Sequence, residues 1–220
     1  MTLVKICGIT NIEDARCAAE AGADFLGFIF YPKSPRYVTP EQCGAIVRGI
    51  REAYGARAPR CVGVFVDVPA TQVRAVLDTT GLDLAQLHGA ESLTDLQHLY
   101  PRAFKALRPQ TVEEARALAA AYVDGGPVDS RSPQLLVDAY HPQQYGGTGV
   151  PLDLHIARAL VPDCRLMLAG GLTPENVGAV VEQVHPWGVD VSSGVEREKG
   201  IKDHEKVQAF IKTVRSIDAG

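Results

Sequence analysis

Eight short apolar runs, each four to six residues long, recur along the chain with helix-like stretches between them, and this repetition limits the folds open to it. The runs are Leu3–Cys7, Phe25–Phe30, Cys61–Val66, Leu84–Leu87, Phe104–Leu107, Gln134–Asp138, Arg165–Ala169 and Gly188–Val191. They are continuous rather than alternating, as expected of strands with both faces buried in a parallel sheet. Parallel neighbours need a crossover, usually a helix. Eight strand–helix units in 220 residues predict an α/β protein, a single closed (β/α)8 TIM barrel spanning residues 1–220. A doubly wound open sheet is the alternative, but no dinucleotide fingerprint follows the first strand.

The intervening stretches carry helix punctuation. Thr10 with Glu13, Thr39 with Gln42 and Thr111 with Glu114 have capping-box spacing, in which each side chain satisfies the other's backbone N–H. Thr173-Pro174 reads as an N-cap followed by a proline in the first helical position. Gly22 and Gly81 stand where helices should end in the left-handed conformation. In the last helix Val207, Phe210, Ile211, Val214 and Ile217 form one apolar stripe. The segment Gly125–Pro133 is linker-like but lies inside the repeat, so it marks no domain boundary.

Composition narrows the function. The chain is 46% hydrophobic, enough for a sizeable core. A net charge of −4, without any long like-charge block, gives no footprint for nucleic acid. No apolar run approaches ~18 residues, and no basic n-region precedes a long apolar stretch, so neither a membrane span nor a signal peptide is expected. Cys7, Cys17, Cys43, Cys61 and Cys164 are odd in number and scattered, which favours a reducing, cytoplasmic compartment over a disulfide framework or zinc site. No motif implies a metal or other cofactor.

In a barrel the strands' C-terminal ends converge on one mouth, where active sites sit. Cys7 ends the first run, where a thiol could serve as nucleophile or base or be a buried structural residue. Asp138 ends the sixth after three aliphatic residues; carboxylates are rarely fully buried unpaired, so it should face the mouth. Gly146-Gly147-Thr148-Gly149, Gly170-Gly171 and Ser192-Ser193-Gly194 follow runs six, seven and eight. Glycine lets backbone N–H groups approach an anion, and barrels often hold phosphate on the loops after strands seven and eight. Arg36, in a loop stiffened by Pro32 and Pro35, offers a planar fork for carboxylate or phosphate. His88 follows the fourth run and is either a mouth residue or a loop histidine.

These residues fall within stretches that resemble the phosphoribosylanthranilate isomerase family of tryptophan biosynthesis. KICGIT (Lys5–Thr10), GFIFYPKSPRYV (Gly27–Val38), VGVFV (Val62–Val66), QLHG (Gln86–Gly89), the DAY and GGTG elements between Asp138 and Gly149, LAGGLTPENV (Leu168–Val177) and DVSSGVE (Asp190–Glu196) match it in order. The resemblance implies an Amadori rearrangement of N-(5′-phosphoribosyl)anthranilate to 1-(2-carboxyphenylamino)-1-deoxyribulose 5-phosphate, with no cofactor. It implies Asp138 as general acid, Cys7 as general base and Arg36 as holder of the anthranilate carboxylate. Gly170, Gly171, Ser193 and Gly194 would bind the phosphate. Lys5, Gln86, His88, Gly147, Thr148, Gly149 and Asp190 would line the site. The expected partner is a small phosphorylated substrate, with no nucleic acid or membrane, and the expected assembly is a monomer or homodimer. One departure is visible: Leu152 and Leu154 stand where the family usually has aromatics.

Two other readings remain at this stage. One is the related phosphoribosyl isomerase of histidine biosynthesis, which resembles this chain in its phosphate loops but carries an aspartate where Cys7 stands. The other is a non-catalytic phosphosugar-binding barrel, since fold alone does not dictate function.

Overall fold

Eight parallel strands close into a barrel in the computed structural model, which describes residues 1–138 and 154–218. In chain order these are β1 (Leu3–Cys7), β2 (Phe25–Ile29), β3 (Arg60–Phe65), β4 (Leu84–Leu87), β5 (Ala103–Leu107), β6 (Leu135–Asp138), β7 (Leu166–Ala169) and β8 (Gly188–Val191). Each expected strand is present, with ends shifted by at most one residue. Closure is direct: β1 pairs with β2 through Lys5–Phe25 and with β8 through Lys5–Asp190.

Helices α1 (Ile12–Ala21), α2 (Pro40–Tyr54), α3 (Ala70–Thr80), α4 (Leu93–Leu99), α5 (Val112–Tyr122), α6 (Leu154–Leu160), α7 (Val177–Val184) and α8 (His204–Asp218) pack around the sheet. After β8 the chain makes a short 3-10 turn, Ser193–Val195, and a hairpin of β9 (Glu196–Glu198) and β10 (Ile201–Lys202). None of the described helices is long and apolar enough to cross a membrane.

Half of the punctuation acts as expected. Thr39 and Gln42 form a complete capping box, and Gly22 and Gly81 close α1 and α3 with φ of 94° and 76°. Three starts differ. Asn11, not Thr10, caps α1, accepting from the Asp14 N–H, because the Thr10 hydroxyl donates to the Gly200 carbonyl of the hairpin instead. Thr111 caps α5, but Glu114 reaches back one residue further, to the Gln110 N–H. Regular α7 begins at Val177; Thr173-Pro174 lies in the preceding turn, where the Asn176 side chain accepts from the Thr173 N–H.

Two apolar layers follow from strand periodicity. Val4, Ile6, Leu26, Phe28, Ala85, Leu87, Leu135, Val137, Val189 and Val191 point outward and pack under the helices. Phe25, Val62, Leu84, Phe104, Ala106, Leu136, Met167 and Ala169 point inward and fill the barrel, with Trp187 tilted against Phe25 at its floor. The inner set fixes which way the remaining residues of each strand must point.

Candidate active site

Counting by two from the inner residues brings the polar side chains to the mouth. On β4, Leu84 is inside, so Gln86 and His88 are too; on β6, Leu136 puts Asp138 inside. On β5, Phe104 and Ala106 lead to Arg108, which sequence reasoning did not single out. On β1, Val4 and Ile6 face the helices, so Lys5 and Cys7 face the interior. The Cys7 sulfur would lie 2.7 Å from a Cβ added to Gly27, its cross-strand neighbour on β2. On β8, Asp190 and Ser192 share the inner face.

A chain of polar contacts crosses this interior. The Lys5 ammonium, wholly buried, donates to Gln86 Oε1 at 2.8 Å and to Asp190 Oδ1 at 3.1 Å. Gln86 Nε2 lies 2.8 Å from His88 Nδ1, and His88 Nε2 lies 3.6 Å from Asp138 Oδ2. Arg108 Nε is also 3.6 Å from that carboxylate oxygen. The hydrogen positions follow from chemistry. An ammonium only donates, so the glutamine must offer it oxygen and present its NH2 to the imidazole. His88 Nδ1 then accepts, and the ring hydrogen sits on Nε2, the nitrogen 3.6 Å from Asp138 Oδ2.

Charge tunes the thiol from several sides. Burial pushes the Cys7 pKa up; the Lys5 charge opposes this, Asp190 adds to it, and Lys202 opposes it. The net shift is upward. For Lys5 burial disfavours the ammonium, but the Asp190 and Cys7 charges outweigh it and its pKa is raised. The other four cysteines are also free thiols; burial pushes Cys61 to about 12 and Cys164 to about 11.

The loops after β7 and β8 meet. Gly170 and Gly171 both have positive φ, 102° and 64°, a backbone that side chains resist. Asn176 braces this loop, donating to the Gly171 carbonyl at 2.9 Å. A Cβ on Gly194 would collide with the Leu172 carbonyl, so only glycine allows the two loops this approach. Ser193 is exposed at the turn. The four residues expected to bind phosphate therefore lie on adjoining loops.

Arg36 has an unexpected partner. Its Nε donates to Glu196 Oε1 at 2.7 Å and its Nη2 to Glu196 Oε2 at 2.6 Å, a two-pronged pair. Lys202 Nζ approaches Glu196 Oε1 at 3.1 Å and donates to the Ser192 carbonyl at 3.0 Å. Burial pushes the Glu196 carboxyl up, but the Arg36 hydrogen bonds and the Lys202 charge hold it below its ordinary value. Burial keeps the Lys202 pKa low despite the glutamate. Sequence reasoning assigned no role to Glu196 or Lys202; Arg36 lies 160 residues from Glu196, and no motif marks Lys202, six residues on, as the glutamate's second partner. Gly147, Thr148, Gly149 and Leu152 lie outside the described residues.

A thiol and a carboxylate on the inner face of one mouth, beside two adjoining glycine loops, are the site features the resemblance calls for. A profile of the family described as N-(5′-phosphoribosyl)anthranilate (PRA) isomerase matches residues 4–213. The chain belongs to the N-(5′-phosphoribosyl)anthranilate isomerase family. A family member from Geobacter sp. (strain M21) is 44% identical over 217 residues, covering 99% of this chain and 100% of the relative. The crystal structure of phosphoribosyl anthranilate isomerase from Thermotoga maritima is 36% identical with a TM-score of 0.83, covering 98% of this chain and 100% of that one. Another phosphoribosylanthranilate isomerase structure, in complex with reduced 1-(o-carboxyphenylamino)-1-deoxyribulose 5-phosphate, is 34% identical with a TM-score of 0.81, covering 98% and 100%.

Proposed function

We propose that Cys7 and Asp138 are the base and acid by which this family member isomerises N-(5′-phosphoribosyl)anthranilate to 1-(2-carboxyphenylamino)-1-deoxyribulose 5-phosphate in tryptophan biosynthesis. The observation that carries the assignment is the shared inner face: the thiol and the carboxylate end β1 and β6, and the Lys5–Gln86–His88 chain runs from beside one to beside the other.

Asp138 donates a proton to the furanose ring oxygen, the C1–O bond breaks, and the anthranilate nitrogen becomes the iminium of a Schiff base. The iminium acidifies the C2 proton, which the Cys7 thiolate removes. The resulting enolamine gains a proton at C1 and loses one from the C2 hydroxyl, giving the ketone, so the reaction needs no redox partner. A free thiol is only a few per cent thiolate at neutral pH, and burial lowers that fraction here, so the cations near Cys7 matter for the second step. Arg36 takes the anthranilate carboxylate, for which a guanidinium fork is suited. Gly170, Gly171, Ser193 and Gly194 take the phosphate on backbone N–H groups. Five free thiols support a reducing, cytoplasmic setting.

The test is a fluorescence assay of phosphoribosylanthranilate consumption. Cys7→Ser and Asp138→Asn should each lower kcat by about a hundredfold or more while phosphate-ligand binding is retained. Equal turnover by the wild type and the double variant would sink the assignment.

A further inference from the structure

We propose that Glu196 is a positioning residue: it grips the Nε–Nη2 side of the Arg36 guanidinium and so directs the free Nη1–Nη2 edge at the carboxylate of the substrate's aromatic ring. The inference rests on Arg36 being the carboxylate ligand, as proposed above.

A guanidinium offers five N–H donors in one plane, and a carboxylate can bind it side-on through Nε and one Nη or end-on through both Nη atoms. Glu196 occupies the side-on edge with bonds of 2.7 and 2.6 Å. Nη1 makes no hydrogen bond among the described residues. A second carboxylate can therefore bind end-on without displacing the first.

Glu196 is itself held rigidly. Its side chain is 5% exposed, and Lys202, wholly buried, lies 3.1 Å from its Oε1 while donating to the Ser192 carbonyl. The Lys202 N–H in turn donates to Asp14 on α1. The arginine's stem is fixed as well: a Cβ on Gly8 would lie 2.7 Å from Arg36 Cδ, so the stem runs across the end of β1, one residue past Cys7. Two cations around one carboxylate leave one positive charge, which a single substrate carboxylate balances. An arginine held in its binding geometry forfeits less freedom when the ligand arrives.

A rival account makes Glu196 a competitor that blocks the fork until substrate displaces it. The two accounts differ in sign. Positioning predicts that Glu196→Gln weakens carboxylate binding, because the amide's NH2 group faces another donor. Competition predicts tighter binding, because a negative charge is removed.

The experiment compares two inhibitors, reduced 1-(o-carboxyphenylamino)-1-deoxyribulose 5-phosphate and its phenylamino counterpart lacking the carboxylate. Glu196→Gln should weaken the first about tenfold and the second less than about twofold, with KM rising and kcat nearly unchanged. In an Arg36→Ala background the same substitution should add nothing. Tighter binding of the carboxylated inhibitor, no change, or equal weakening of both overturns the proposal. Should Glu196→Gln fail to fold, Glu196→Asp keeps the charge but is one methylene too short to reach the guanidinium, and should show the same selective loss. The underlying reading fails separately: Arg36→Ala would then leave the preference for the carboxylated inhibitor intact.

Discussion

Replacing Lys5 by methionine should destabilise the barrel by about 3–5 kcal/mol, the usual result of removing one partner of a buried ion pair. Lys5 is wholly buried in the barrel, and the Asp190 side chain that it neutralises at 3.1 Å is only 10% exposed. Without the ammonium, a nearly buried carboxylate loses the cation that neutralises it, and Gln86 Oε1 loses its donor. The carboxylate dominates, since an uncompensated charge costs more than one unmet neutral acceptor, about 1–3 kcal/mol. Adding Asp190→Leu removes the stranded charge, so the double variant should recover about half of the loss and retain a deficit of about 1–3 kcal/mol from Gln86. The coupling energy should then be at least about 2 kcal/mol, measured by urea unfolding of the wild type, both single variants and the double variant. The exposed pair of Arg102 and Asp78, with side chains 39% and 56% accessible, serves as a control whose cycle should give under about 1 kcal/mol despite a shorter contact of 2.6 Å. Additive losses at Lys5 and Asp190 would refute the reasoning.

Because burial raises the Cys7 pKa, iodoacetamide inactivation should keep accelerating as pH rises past 9.0, the ordinary thiol value, and an inflection below pH 8 would contradict the burial of the thiol. The Glu196 carboxyl is held low, so its contribution to stability should be full above about pH 4.5 and disappear as acid protonates it below that. Glu196→Gln should flatten this part of an acid-unfolding curve, and an unchanged acid limb would count against the Arg36–Glu196–Lys202 cluster. Gly194→Ala should force the loops after β7 and β8 apart and lower kcat/KM by roughly a hundredfold, the effect of about 1 Å of misplacement; unaltered inhibition by inorganic phosphate would remove those loops from the phosphate site. Asn176→Ala should weaken phosphate inhibition too, though less, since it frees one loop without a clash.

The barrel was legible because its strands are short, apolar and evenly repeated, and local pattern dictates such elements. The placement of Cys7 and Asp138 at the barrel mouth was legible, each closing a strand with a polar atom where the aliphatic run stops. Arg108 could have been found by the same logic, two residues beyond Ala106 on the inner face of β5. The pair of Arg36 and Glu196 could not, because 160 residues separate the partners and neither sits in a periodic pattern. The start of α1 shows the limit at close range. Thr10 and Asn11 are both good caps, and the choice between them is made by Gly200, a distant carbonyl that takes the threonine's hydroxyl.

The hairpin β9–β10 joins the chain's late residues to its early ones: Thr10 bonds Gly200, Asp14 bonds Lys202, and Arg36 bonds Glu196. A chain emerging from the ribosome thus carries its thiol long before it carries anything to hold the arginine or neutralise Lys5. The proposed chemistry therefore waits for the ring to shut.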